Sequence, residues 1–204
     1  MDSLLDFLKN IWLGSLYSAI IGGLIAGTAS FLATRRAHRN NLQRQEIAHK
    51  LKVNNLLQAL YDEINILWEG YWWGAGEALE KLNDREAIKW IYPLTPDIFT
   101  IYNGNAALIG SIDDKYLRKC IIITYTKARA LIDAFRLNNK LIIRYDELKL
   151  KYILGAGASV QAKKEVEVME MIMMDYAGKI IKMHFDIKKD IIDLKDKFNK
   201  KGFS

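Results

Sequence analysis

The chain has 204 residues, enough for one folded domain beside a short appendage, and 50% of them are hydrophobic, enough to fill a core. Its formal charge of +6 is modest and partly gathered in one arginine-rich stretch, so it does not read as the concentrated basic face of a nucleic-acid-binding domain. A single cysteine excludes an intrachain disulfide; Cys120, set in RKCIIITY, is expected to be a small core residue.

The first ten residues, MDSLLDFLKN, carry Asp2, Asp6 and Lys9, and the next twenty-three, Ile11 to Ala33, carry no charge at all. At 1.5 Å per residue such a helix is about 34 Å long, enough to cross a hydrocarbon core of roughly 30 Å. A buried core helix rarely excludes charge for about six turns. A cleaved signal peptide would have a cationic leader and an Ala-x-Ala site, and neither is present. The segment therefore reads as a retained transmembrane helix. Arg35, Arg36, Arg39 and Arg44 follow it, so residues 1–10 are expected outside and residues 34–204 in the cytoplasm. These arginines also suit anionic headgroups. Within the span, small residues recur at spacing four, and Gly22, Gly23, Ala26, Gly27 and Ser30 form the best surface for close contact with a second copy of the helix.

Residues 35–69 contain neither Pro nor Gly, and Val53, Leu57, Leu60, Ile64, Leu67 and Tyr71 recur at a mean step of 3.6. The membrane helix is therefore expected to continue into the cytoplasm as an amphipathic helix, ending near Gly70, Gly74 and Gly76. Trp68, Tyr71, Trp72 and Trp73 crowd that end. They lie too far past the span for an interfacial belt on a straight helix, which leaves packing at the end of a bundle or a partner-binding patch. A short polar helix is expected in GEALEKLNDREAIKW.

In PLTPDIF, Thr95 as N-cap, Pro96 at the first position and Asp97 in the first turn predict a helix that stops near Asn103 and Gly104. After a loop ending at Gly110, Ser111 and Asp114 approximate a capping box and open a helix to Asn138 and Asn139. Residues 141–154 fit a further helix or a short strand. GAGAS, with Gly155 and Gly157, lacks the third glycine of a dinucleotide loop and reads as a flexible connection. The last helix, from about Ala162 to Lys200, carries Met169, Met173, Tyr176, Ile180, Met183, Ile187, Ile191, Leu194 and Phe198 on one face. Ile172, Ile181, Phe185 and Ile192 widen that stripe. It predicts packing among three or more helices, antiparallel to the helix leaving the membrane. The fold class is thus all-α: one N-terminal transmembrane helix continuing into a cytoplasmic antiparallel helical bundle.

His38, His49 and His184 are far apart and lack metal-ligand spacing, and no phosphate loop, nucleophile elbow or zinc-protease motif is present. Adjacent Asp113 and Asp114 suit a helix N-terminus better than acid and base work. No catalytic, cofactor or metal residue is assigned, and a non-enzymatic protein is expected.

The stretch from Thr95 to Asn139, with its Pro-started helix, its IYNGNAALIG turn and its paired asparagines, resembles the small membrane-anchored helical effectors encoded beside bacterial retron reverse transcriptases. The resemblance implies an inner-membrane effector of anti-phage defence that perturbs the membrane or arrests growth. Its inhibitory partner would be a complex of reverse transcriptase and its DNA product, and it would form a homo-oligomer through the membrane helix. The alternative expectation is a single-pass tether that holds a cytoplasmic partner through its helical bundle.

Overall fold

The computed structural model describes residues 2–83, 86–155 and 160–203, with side chains from Ser30 onward. Every regular element among the described residues is helical: α1 (Asp2–Tyr71), a π-helical turn (Trp72–Gly76), α2 (Glu77–Lys81), α3 (Thr100–Gly104), α4 (Ala106–Gly110), α5 (Lys115–Leu154) and α6 (Val160–Lys200). The chain divides into two compact units, Met1–Lys52 and Val53–Ser204, and α1 contributes to both.

In the first unit the backbone is helical from Asp2 on. The expected span, residues 11–33, lies outside the described side chains except for Ser30 to Ala33, and so do Gly22, Gly23, Ala26 and Gly27. Among the described residues no helix is long and apolar enough to cross a membrane. Every side chain from Ser30 to Lys52 is exposed, including Arg35, Arg36, Arg39 and Arg44 and the apolar Phe31, Leu42, Ile47 and Leu51. A Glu46–Lys50 ion pair at 2.7 Å spans one turn of this stretch.

The second unit is a bundle of three helices: residues 53–71 of α1, α5 and α6. Tyr61 packs edge-on against Phe198 and Trp68 stacks on His184, so α6 runs antiparallel to α1, as expected. Glu63 meets Tyr125 and Tyr71 meets Phe135, so α5 runs parallel to α1. The buried positions of α6 are Met173, Ala177, Ile180, His184, Ile187, Ile191, Leu194 and Phe198. Their steps alternate strictly between four and three, the 3.5-residue period of a left-handed coiled coil rather than a drifting 3.6. Such a repeat keeps the seam narrow. The residues expected to widen it, Ile172, Phe185 and Ile192, stay about half exposed at 46%, 50% and 49%.

Several boundaries differ from expectation for identifiable reasons. The polar helix after α1 stops at Lys81, because Leu82 turns extended at φ −76° and ψ 134° and the chain stays non-helical through Phe99 wherever it is described. Thr95 caps nothing: α3 begins at Thr100, and the acceptor for its first amides comes from Glu63 of α1. The expected loop before Gly110 contains α4. Asp114, not Ser111, caps α5, accepting from the amides of Tyr116 and Leu117.

Nor does α5 end at Asn138 and Asn139; it continues through residues 141–154 as helix, which leaves no strand there. Both asparagine side chains are engaged across the fold instead of closing the helix. Asn139 donates to the Tyr92 carbonyl at 2.7 Å and accepts from the Tyr92 amide at 3.1 Å, while Asn138 is fully buried beneath Ile88. Cys120 is half-buried at the edge of the core rather than inside it. Gly157 lies outside the described residues.

Candidate functional site

Where α1 ends, Trp68, Tyr71 and Trp72 gather around a buried histidine of α6, the centre of the first of two polar clusters in the bundle. Trp72 opens the π-helical turn, whose wider winding takes the chain into α2 without a break. Gly76 at its close is fully packed: a Cβ there would meet Trp72 at 3.0 Å, Tyr71 at 3.4 Å and His184 at 3.5 Å. The missing side chain lets the backbone lie against those rings.

His184 sits at a core position of α6, fully buried, with Trp68 stacked on it at 6.2 Å and Tyr71 and Trp72 tilted against it. Its Nδ1 lies 2.7 Å from the Tyr71 hydroxyl and its Nε2 lies 3.2 Å from Glu80 Oε1. Lys188 donates to the same Glu80 oxygen at 2.5 Å and holds its ammonium 4.8 Å over the Trp72 ring.

The protonation states follow from the neighbours. The Lys188 hydrogen bond, outweighing a small desolvation effect, holds the Glu80 carboxyl below its usual range. Burial pushes the His184 imidazole below its ordinary value against the opposing pull of Glu80, and burial drives the Tyr71 phenol far up. A neutral His184 therefore donates from Nε2 to the Glu80 carboxylate and accepts at Nδ1 from the Tyr71 hydroxyl. Both ring nitrogens are used and the ring is enclosed, so His184 offers no lone pair to a substrate or metal. Among the described residues no group of His, Cys, Asp and Glu could hold a metal ion.

The second polar cluster is built on Glu63, which is 7% exposed. It accepts from the amides of Ile101 at 2.7 Å and Tyr102 at 3.2 Å, and from the Tyr125 hydroxyl at 2.7 Å. Tyr125 also stacks on Tyr102 at 4.1 Å, and burial followed by the hydrogen bond to Glu63 pushes its phenol well up. This one carboxylate ties α1, α3 and α5 together.

Of the expected partner patch, Trp68, Tyr71 and Trp72 are half-buried around His184, while Trp73 stands 78% exposed. Trp73 borders a surface groove of about 380 Å³ shared with Trp68, Glu69, Trp72, Lys188 and Ile192. Trp68 and Tyr71 also line a separate cavity of about 330 Å³ inside the bundle. Sequence reading missed Glu63, Glu80 and Lys188 and undervalued His184. The signal for His184 was a histidine at a strict heptad core position, and for Glu63 a carboxylate three residues after Leu60 and four before Leu67 on the apolar face. No family model, no curated protein and no solved structure matches this chain.

Proposed function

We propose that this chain is a non-enzymatic, single-pass protein of the bacterial inner membrane, the effector of a retron-type anti-phage system. Its cytoplasmic bundle restrains a membrane-active N-terminal helix. One observation carries the reading: residues 11–33 hold no charge and are followed by Arg35, Arg36, Arg39 and Arg44, the pattern of a retained span whose C-terminal side faces the cytoplasm. In this reading a complex of reverse transcriptase and its DNA product engages the bundle and keeps the effector inactive. Release lets the helices associate through Gly22, Gly23, Ala26, Gly27 and Ser30. A single helix cannot line a pore, so membrane damage requires homo-oligomers.

A second reading, a tether that holds a cytoplasmic partner without harming the membrane, is favoured by one feature. Trp73 is a large exposed aromatic beside a groove that also contains Trp72 and Lys188. One experiment separates the two. Inducing the full-length chain alone in a bacterial host should collapse the membrane potential and colony counts, and replacing Gly22 and Gly27 with Leu should restore both. Normal growth with an intact potential at high expression overturns the effector reading and leaves the tether.

A further inference from the structure

The cavity of about 330 Å³ lies between residues 64–71 of α1, residues 124–135 of α5, residues 187–191 of α6 and the non-helical stretch before α3. Its size falls in the range of small-molecule sites, and helical bundles build such sites between their helices. Well-packed cores leave few voids larger than a water molecule, so a space of this volume needs walls that cannot close.

Those walls are aromatic and held from behind. The Tyr71 hydroxyl is bonded to His184 and the Tyr125 hydroxyl to Glu63. Phe99 packs edge-on against Tyr125, and Phe135 is pinned between Trp90 and Tyr92. Moving either tyrosine inward would strand a buried hydroxyl partner. The roof, residues 93–98, is anchored at both ends by side chains of other helices. Asn139 clamps Tyr92, and Glu63 holds the amides of Ile101 and Tyr102. Ile66, Pro93 and Thr95 belong to the lining yet are exposed, so the cavity opens to solvent.

The chemistry of the occupant follows from the lining, which contains no charged side chain. A carboxylate or phosphate would enter without a counter-charge, meet the electron-rich ring faces and lose its hydration. Aromatic faces and aliphatic ends favour flat or chain-like apolar groups, with the Thr95 and Thr124 hydroxyls as the non-aromatic polar groups of the lining. We propose that this cavity is a binding site for a largely apolar small molecule without an anionic group, reached beneath the strap of residues 93–98.

The test uses full-length protein in lipid nanodiscs and an uncharged phenyl(trifluoromethyl)diazirine as the probe. After photolysis, adducts are quantified peptide by peptide. Adducts are expected on residues 124–135 of α5. Ala128→Phe, which fills the cavity from α5, should lower their yield about tenfold or more, the loss expected when a site is occluded, while the melting temperature stays level or rises. The same diazirine carrying a benzoate carboxylate should label that segment weakly. Absence of adducts there in the native chain, an unchanged yield in Ala128→Phe, or equal labelling by the carboxylate analogue each overturns the proposal. Should Ala128→Phe lower the melting temperature, Ala128→Leu is judged by the same criterion.

Discussion

Glu63 shows how one side chain can decide the position of a distant element. Its carboxylate collects two backbone amides and a phenol inside the bundle, so the first amides of α3 are satisfied from thirty-eight residues away. Glu63→Gln replaces one acceptor oxygen with a donor that faces donors. It should lower unfolding free energy by about 1–3 kcal/mol, read from urea denaturation, whereas exposed Asp62→Asn should change it by less than about 0.5 kcal/mol. His184 makes a pH prediction. Burial depresses its folded-state pKa, so the unfolded chain takes up the imidazole proton first as pH falls. Its contribution is complete above the ordinary value of 6.5 and declines as pH drops from there to the lower folded-state value. Of the groups facing it, Glu80, held below its usual range, and Tyr71, held far above its own, keep their charge states across that interval. Melting temperature should fall between about pH 7.5 and about pH 5.5, and His184→Phe should flatten that slope whatever its absolute stability.

At the scale of elements, the glycines around the end of α1 have opposite roles. Gly70 has nothing within 4 Å of an added Cβ, so Gly70→Ala should stabilise the helix by about 0.5–1 kcal/mol. At Gly74 an added Cβ would come within 2.9 Å of the Tyr92 ring. That ring cannot yield freely, because Asn139 clamps its backbone and Phe135 packs against it, tilted, at 4.8 Å. Gly74→Ala should therefore cost about 1–3 kcal/mol, and equilibrium unfolding of the two variants side by side checks the difference in sign. The same clamp explains why two consecutive asparagines interrupt nothing in α5. Asparagine favours helix ends when its side chain turns to its own backbone, and here both side chains are engaged by other segments.

At the scale of the whole molecule, the proposed topology rests on residues 11–33. Leu24→Arg puts a charge near the centre of the segment, at a cost of about 2.5–3.5 kcal/mol for a spanning helix. Native protein should stay in the membrane pellet after carbonate extraction and Leu24→Arg should leave it, while Leu51→Arg, on an exposed stretch of α1, should behave as the native chain. Retention of Leu24→Arg in the pellet would count against the span.

What the sequence determined alone is what repeats locally. The all-helical class, the buried face of α1 and the extent of α6 follow from apolar periodicity, because burial of one helix face is written at every turn. The aromatic cluster at the end of α1 was legible as a cluster, but its division into three half-buried rings and one exposed Trp73 was not. Only the tertiary structure decided where α3 begins, why residues 86–98 stay non-helical and how far α5 runs. For the first two the hydrogen-bond partner is remote: Glu63 lies thirty-eight residues from Ile101 and Asn139 forty-seven from Tyr92, and the buried His184 is likewise met by Tyr71 from one hundred and thirteen residues away. A cap, a clamp or a buried histidine satisfied across the bundle leaves no spacing in the chain that announces it.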